Sequence, residues 1–170
     1  MGGDVIGSGW GPRNQRLEVS IENVKQHQTY YGAINLHTQQ FIVNPHERGN
    51  GENTVAFIKY LQALHPNKKL VILWDGASYH DGQEVQRYLK DVNQGLEETD
   101  WKVTCIFFAP NAPDQNPVED VWLQGKNFLR RHFYENKTFN RIKWSFLNFI
   151  NRRVFKFDKI RWYLEIPQPV

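Results

Sequence analysis

The chain has 170 residues, 40% of them apolar and 14% aromatic, with 12 Gly and 8 Pro. This is the balance of one globular domain, not of a disordered or collagen-like chain. No apolar run reaches the eighteen or so residues of a membrane helix, and Met1-Gly-Gly-Asp4 has no secretory start. Cys105 is alone, which excludes an internal disulfide and a zinc finger and suits a reducing, cytoplasmic compartment. The net charge of +3 hides an asymmetry: residues 1–120 carry 10 Lys/Arg against 15 Asp/Glu, and residues 121–170 carry 11 against 3.

Residues 1–16, MGGDVIGSGWGPRNQR, are Gly-rich and polar and read as a loop. Leu17, Val19 and Ile21 alternate with Glu18 and Ser20, the pattern of an edge strand. Gln28–Leu36 is aromatic and β-branched, His37-Thr38-Gln39 is polar, and Gln40–Asn44 returns, so the stretch reads as a β-hairpin. After a loop over 45–51, the spacing of Val55, Ile58 and Leu61 predicts a helix over 52–65, closed by Pro66. Lys69–Trp74 (KLVILW) is a continuous apolar run, as in a strand buried on both faces, and it stops at Asp75-Gly76. A helix over 83–92 ends near Asn93-Gln94-Gly95. A second buried strand over 101–108 holds Cys105 as a small core residue. A loop with Pro110 and Pro113 leads to Asn116, a helix cap, and Pro117, suited to a first helical position. That helix runs to about Arg131, and a longer one is expected over 138–155. The order describes a mixed α/β sandwich, with its sheet partly antiparallel and partly parallel.

In open α/β sheets reactive groups gather beyond the carboxyl ends of strands. Asp75 follows the most apolar strand directly, and Glu119 sits in the first turn of the helix after the next strand. Val118, Val121, Trp122, Gly125 and Leu129 form the apolar stripe of that helix. Glu119 lies about 100° around from Val118, at the border of the stripe, where it can face the sheet edge. Two carboxylates brought to about 4 Å repel by roughly 4 kcal/mol at an effective dielectric near 20. Such a pair needs a shared proton or a divalent cation, and magnesium, with its taste for carboxylate and phosphate oxygens, suits phosphoryl transfer. An Asp after a strand is also a common turn residue, and a Glu in a first turn commonly serves the helix dipole.

The words around these acids are more specific. LVILWDGASYH (70–80) followed by FFAPNAPDQNPVEDVW (107–122) resembles the DDE transposase domain of bacterial insertion sequences in the Tc/mariner superfamily. The family has a strand ending in the second catalytic Asp, a His soon after, and a Pro- and Asn-rich loop into N-P-x-E. Here these are Asp75, His80 and Asn116-Pro117-Val118-Glu119. Trp10-Gly-Pro-Arg-Asn-Gln15 and the hairpin TYYGAIN resemble the middle of that domain, so the likeness runs from about Trp10 to Arg131. It implies an RNase H-like mixed sheet flanked by helices. It also implies cutting and joining of DNA with two Mg²⁺ or Mn²⁺ ions held by Asp75, Glu119 and a further Asp, with His80 and Asn116 in support. The corresponding organisation is a residual loop over 1–16, a catalytic core over 17–135, and a basic helix and tail over 136–170.

Two features depart from the family. Asp75 and Glu119 are separated by 43 residues, more than is usual there, and the polar stretch 93–100 can absorb the excess as a surface loop. The family's first Asp ends a strand ahead of the Trp-Gly-Pro segment, whereas Met1–Gly9 offers only Asp4 behind two glycines, a poor strand. The first, central strand is therefore expected to be missing, with the chain inactive alone and completed by an upstream transposase segment, or else a non-catalytic DNA-binding remnant. An RNA-cleaving nuclease of the same fold fits the flanking words less well. The partners implied are DNA, as transposon ends and target, and a second copy in a homodimer. The setting is the bacterial cytoplasm and nucleoid, with no membrane.

A basic end suits a polyanion, because Lys and Arg that neutralise phosphates release counterions. Lys126, Arg130 and Arg131 on the Glu119 helix, and Arg141, Arg152 and Arg153 beyond it, are the backbone-contact candidates. Phe139, Ile142, Phe146, Phe149 and Ile150 recur at helical spacing and read as core, as does Trp122. Asp120, a further step around the helix from Glu119, reads as a solvent-facing dipole partner.

Overall fold

The computed structural model describes residues 26–77, 80–109, 115–136 and 138–164. The loop expected over 1–16 and the edge strand expected over 17–21 lie outside them. The hairpin forms as β1 (Thr29–Ile34) and β2 (Phe41–His46), antiparallel from Thr29↔His46 to Ile34↔Phe41. Its turn is built by Asn35, whose Oδ1 accepts from the backbone N–H of His37 (3.0 Å) and Thr38 (2.9 Å). Gln39 then takes a left-handed φ of 59° to re-enter the ladder. The returning strand runs two residues beyond its expected end, through Pro45 and His46.

Pleating divides the hairpin's side chains. Tyr30, Ile34, Phe41 and Val43 point to one face, and Tyr31, Ala33 and Ile42 to the other. Helix α1 (Gly51–Leu64) is capped by Asn50, whose side chain accepts from Asn53 N at 2.9 Å. It lays Phe57 and Leu61 against Tyr31 and Ile42, with Leu70 and Ile72 of β3 (Leu70–Trp74) packed beside them. Ile58 of the same helix meets Trp74, Val85 of α2 (Gln83–Val92) and Val103 of β4 (Val103–Phe107). Strands β3 and β4 are parallel, from Leu70↔Val103 to Trp74↔Phe107. Buried Asn93 closes α2 onto β4, donating to Val103 O at 2.8 Å and accepting from Lys102 N at 2.8 Å. One helix thus spans two sheets, and among the described residues the two pairs remain separate two-stranded sheets.

The expectation that KLVILW is buried on both faces is corrected: Val71 is 62% exposed, and Ile106 on β4 is 46% exposed. Helices α1 and α2 cover one face of the β3–β4 pair. The next two helices pack instead on the hairpin, so among the described residues the apolar run is shielded on one side only. Helix α3 (Pro117–Arg131) and helix α4 (Phe139–Ile150) form that second layer, with Val121, Phe146 and Ile150 buried against Phe41 and Val43. The rings of Phe128 and Phe149 stack with centroids 4.2 Å apart, and Trp122 meets Phe41 edge-on at 5.2 Å. The stripe read from Val118 to Leu129 is the buried one.

Helix α4 is shorter than expected and stops at Ile150 rather than near Phe155. Arg152 turns the chain with φ 57°. The tail then runs along the outer edge of β2: Phe41 N donates to Arg153 O (2.8 Å), Arg152 N to Phe41 O (2.7 Å) and Phe155 N to Gln39 O (2.9 Å). Continuing the helix would have forfeited these bonds and the burial of Phe155 in the hairpin core. A short helix α5 (Lys159–Leu164), not foreseen in the sequence, follows with Ile160 fully buried.

Candidate active site

Because β3 and β4 are parallel, both point their carboxyl ends at one edge. Phe108 N donates to Trp74 O at 2.9 Å and extends the ladder one residue further, so Asp75 leaves β3 beside the start of the loop toward α3. Asp75 is exposed, and its Oδ1 accepts from Ala77 N at 3.1 Å, an Asx turn that fixes the carboxylate at the rim. His80 returns to it: Nδ1 lies 3.0 Å from Asp75 Oδ1 and 3.3 Å from Asp75 O. The imidazole lies flat on the Trp74 indole, with centroids 4.8 Å apart and planes 4° from parallel. Trp74 is buried, and its Nε1 has no hydrogen-bond partner among the described residues. In the sequence Trp74 reads only as the end of the buried run. Its place directly before Asp75 is the signal that it also floors the site.

Glu119 arrives by a different route. Asn116 caps α3, accepting at Oδ1 from Val118 N at 3.0 Å, and Pro117 takes the first helical position. Glu119 stands exposed in that first turn, where its charge also suits the helix dipole. The structure thus brings Asp75 and His80 together. It holds Glu119 on the helix that follows the same sheet edge, and no hydrogen bond or ion pair joins Glu119 to either residue among the described ones. Two exposed carboxylates offer hard oxygen donors of the kind a divalent cation prefers. No group of three or more acids, His or Cys placed to hold a metal occurs among the described residues. The donor set fits such an ion in kind and is partial.

Asp120 corrects part of its sequence reading: it stands in the first turn of α3 as expected, but half-buried and with a partner. Its Oδ2 lies 2.6 Å from Lys159 Nζ, an approach in the geometry of an ion pair rather than of an aligned hydrogen bond. Beside it Tyr163 donates its hydroxyl to Gln115 O at 2.6 Å and packs its ring on Phe108 at 6.1 Å. Helix α5 therefore straps the loop that delivers Glu119, and no sequence pattern announced it. Asp114, Pro110 and Pro113 lie outside the described residues.

The basic candidates are distributed over two helices and the turn after them. Lys126, Arg130 and Arg131 are exposed on α3, and Arg130 also donates to Asn127 Oδ1 at 3.0 Å. Arg141, Arg152 and Arg153 are exposed around α4 and the turn that ends it. Phe146 and Ile150 are buried and Phe139, Ile142 and Phe149 half-buried, as their spacing implied.

Residues 2–140 match the family model described as DDE superfamily endonuclease. No curated protein matches the chain. Among solved structures, a chain of the simian T-cell lymphotropic virus intasome in complex with PP2A regulatory subunit B56 gamma is similar. Its TM-score is 0.50 at 16% identity, over 82% of this chain and 50% of that one. The catalytic core domain of BIV integrase is similar with a TM-score of 0.48 at 14% identity, over 80% of this chain and 85% of that one. The present chain thus spans about half the length of the intasome chain it matches.

Proposed function

The chain belongs to the DDE superfamily endonucleases, and from that premise we propose that it is the catalytic domain of a DNA transposase of the Tc/mariner type. It would act on transposon ends and target DNA by strand cleavage and strand transfer. The observation that carries the reading is Asp75, held at the carboxyl edge of a parallel strand pair whose next connection leads to Glu119. Asp75 and Glu119 are the two acids of the chain that would hold Mg²⁺ or Mn²⁺. When bound, such ions supply the charge that makes a water or a 3′-hydroxyl nucleophilic and steadies the leaving oxygen.

The protein's own residues do the positioning. The turn from Asp75 to Ala77 and the His80 ring fix one carboxylate oxygen, leaving the other for a ligand. Asn116 sets the angle at which α3 starts, and with it the reach of Glu119. A third carboxylate, supplied by an upstream strand, would complete the site. Support for its seat comes from the two sheets, which share the cover of α1 without sharing a ladder. The chain would then act with an upstream segment and as a homodimer, in the bacterial nucleoid.

The test supplies that strand as an upstream peptide or fusion and assays nicking of an end-bearing duplex in Mg²⁺. Asp75→Asn and Glu119→Gln should each lower cleavage by about a hundredfold or more, the scale on which essential catalytic groups act, with duplex binding within about twofold. Cleavage retained in either variant would overturn the assignment. A completed chain that binds DNA and never cuts would favour the non-catalytic remnant.

A further inference from the structure

The stretch 136–157 contains six Lys/Arg and no Asp or Glu. The ion pairs found among the described residues lie elsewhere, at Lys69–Asp100, His80–Asp75 and Lys159–Asp120. Three of these cations rest on aromatic rings instead: Lys143 over Phe139 at 5.1 Å, Arg153 over Phe149 at 4.2 Å, and Arg141 over Trp144 at 4.5 Å. Among the described residues no carboxylate pairs with these three, and the segment carries a positive field.

Trp144 is the exception among the aromatics of α4. Phe146 is buried and Phe139 and Phe149 are half-buried, yet Trp144 remains 55% exposed even with a guanidinium against it. Arg141 and Trp144 are three residues apart, hence on one face, and the exposed Asn148 continues that face four residues on. An indole has the largest stacking surface of any side chain. Leaving one in water among uncompensated cations has no packing benefit, but it is what a polyanion with exposed π-faces would use.

We propose that Trp144, flanked by Arg141, is a base-stacking contact for unpaired nucleotides of the DNA substrate. An unstacked base would lie on the indole while Arg141 meets the adjoining phosphate. The proposal rests on the DNA-acting reading above and deepens it: the substrate would present single-stranded nucleotides to this helix, as a nicked or frayed end does. Duplex DNA, whose bases are stacked within the helix, would use the cations and not the indole.

The experiment measures binding of the full chain to a labelled single-stranded 20-mer and to the matching duplex, by anisotropy across a salt series. Trp144→Ala should weaken single-strand binding about tenfold and duplex binding by less than about twofold, with Trp144→Phe recovering most of the loss. Arg141→Gln should weaken both and flatten the salt dependence by about one phosphate contact. Trp144 is on the surface, so unchanged thermal melting is expected and serves as the control for folding.

Equal loss on both DNAs, or none on either while the parent chain binds, would overturn the stacking contact and leave the DNA-acting reading in place. A parent chain that binds neither DNA would overturn that reading itself. If Trp144→Ala instead alters sedimentation with DNA binding intact, the indole belongs to a protein interface and the proposal falls.

Discussion

Cys105 sits on the helix-covered face of β4, packed into the cluster of Ile58, Trp74, Val85 and Val103. Burial pushes its thiol from the ordinary 9.0 up to about 12, and burial likewise lifts the Tyr30 hydroxyl from 10.0 to about 12. In the unfolded chain both groups release their protons near their ordinary values, whereas the folded chain keeps them. Stability is thus whole below about pH 9 and is expected to decline as pH rises from 9 toward 12. Urea midpoints at pH 8, 9.5 and 10.5 should fall in that order, and Cys105→Ala should be less stable at pH 8 yet show a shallower fall. An unchanged slope in Cys105→Ala would remove the thiol from this account. At neutral pH the same protonated thiol should resist alkylation in the folded chain and react after urea is added.

At the scale of elements, Gly125 decides how closely α3 and α4 approach. A methyl group there would sit 2.4 Å from Phe146 Cε2 and 3.2 Å from Ile150 Cγ2, and both of those side chains are buried. Gly125→Ala should therefore cost about 1–3 kcal/mol despite the better helix propensity of alanine, read as a lower urea midpoint at constant slope. A stabilised variant would show that the two helices can separate freely.

The same element pair shows what a sequence discloses. Val118, Val121, Trp122 and Leu129 mark the buried face of α3 because a helix repeats every 3.6 residues, and Asn116-Pro117 marks its start because cap chemistry is local. The end of α4 was not legible. Asn151-Arg152-Arg153 carries no strong stop signal, and the turn is favoured by hydrogen bonds to Phe41, more than a hundred residues away in sequence. The strap of α5 on Asp120 escaped for the same reason: an ion pair between distant residues leaves no periodicity. The Asp75–His80 pairing was half legible, since the two are close in the chain, but only the fold shows the Trp74 ring beneath the imidazole.

At the scale of the molecule, the C-terminal tail supports both layers. Phe155 and Ile160 are buried, the backbone of 152–155 edges the hairpin, and Lys159 and Tyr163 hold the approach to Glu119. A chain ending at Asn151 is expected to lose cooperative unfolding altogether, as judged by a broad thermal transition and rapid amide exchange in 41–46. Ending it at Asp158 should spare the hairpin and loosen only the loop before Pro117, visible as faster exchange at 115–121. If both truncations behave like the parent, the tail is ornamental.

The bonds between Phe41 and the backbone of Arg152 and Arg153 also have a meaning in time. Synthesis proceeds from the N-terminus at about 5–20 residues per second, so β2 leaves the ribosome several seconds before the segment that covers its edge. Throughout that interval the strand FIV, at 41–43, displays unpaired amides beside apolar side chains, a template for pairing with another nascent chain. A segment made later thus acts as a lock on one made earlier. Slowing translation late in the message should send more of the product into aggregates without any change in the finished fold.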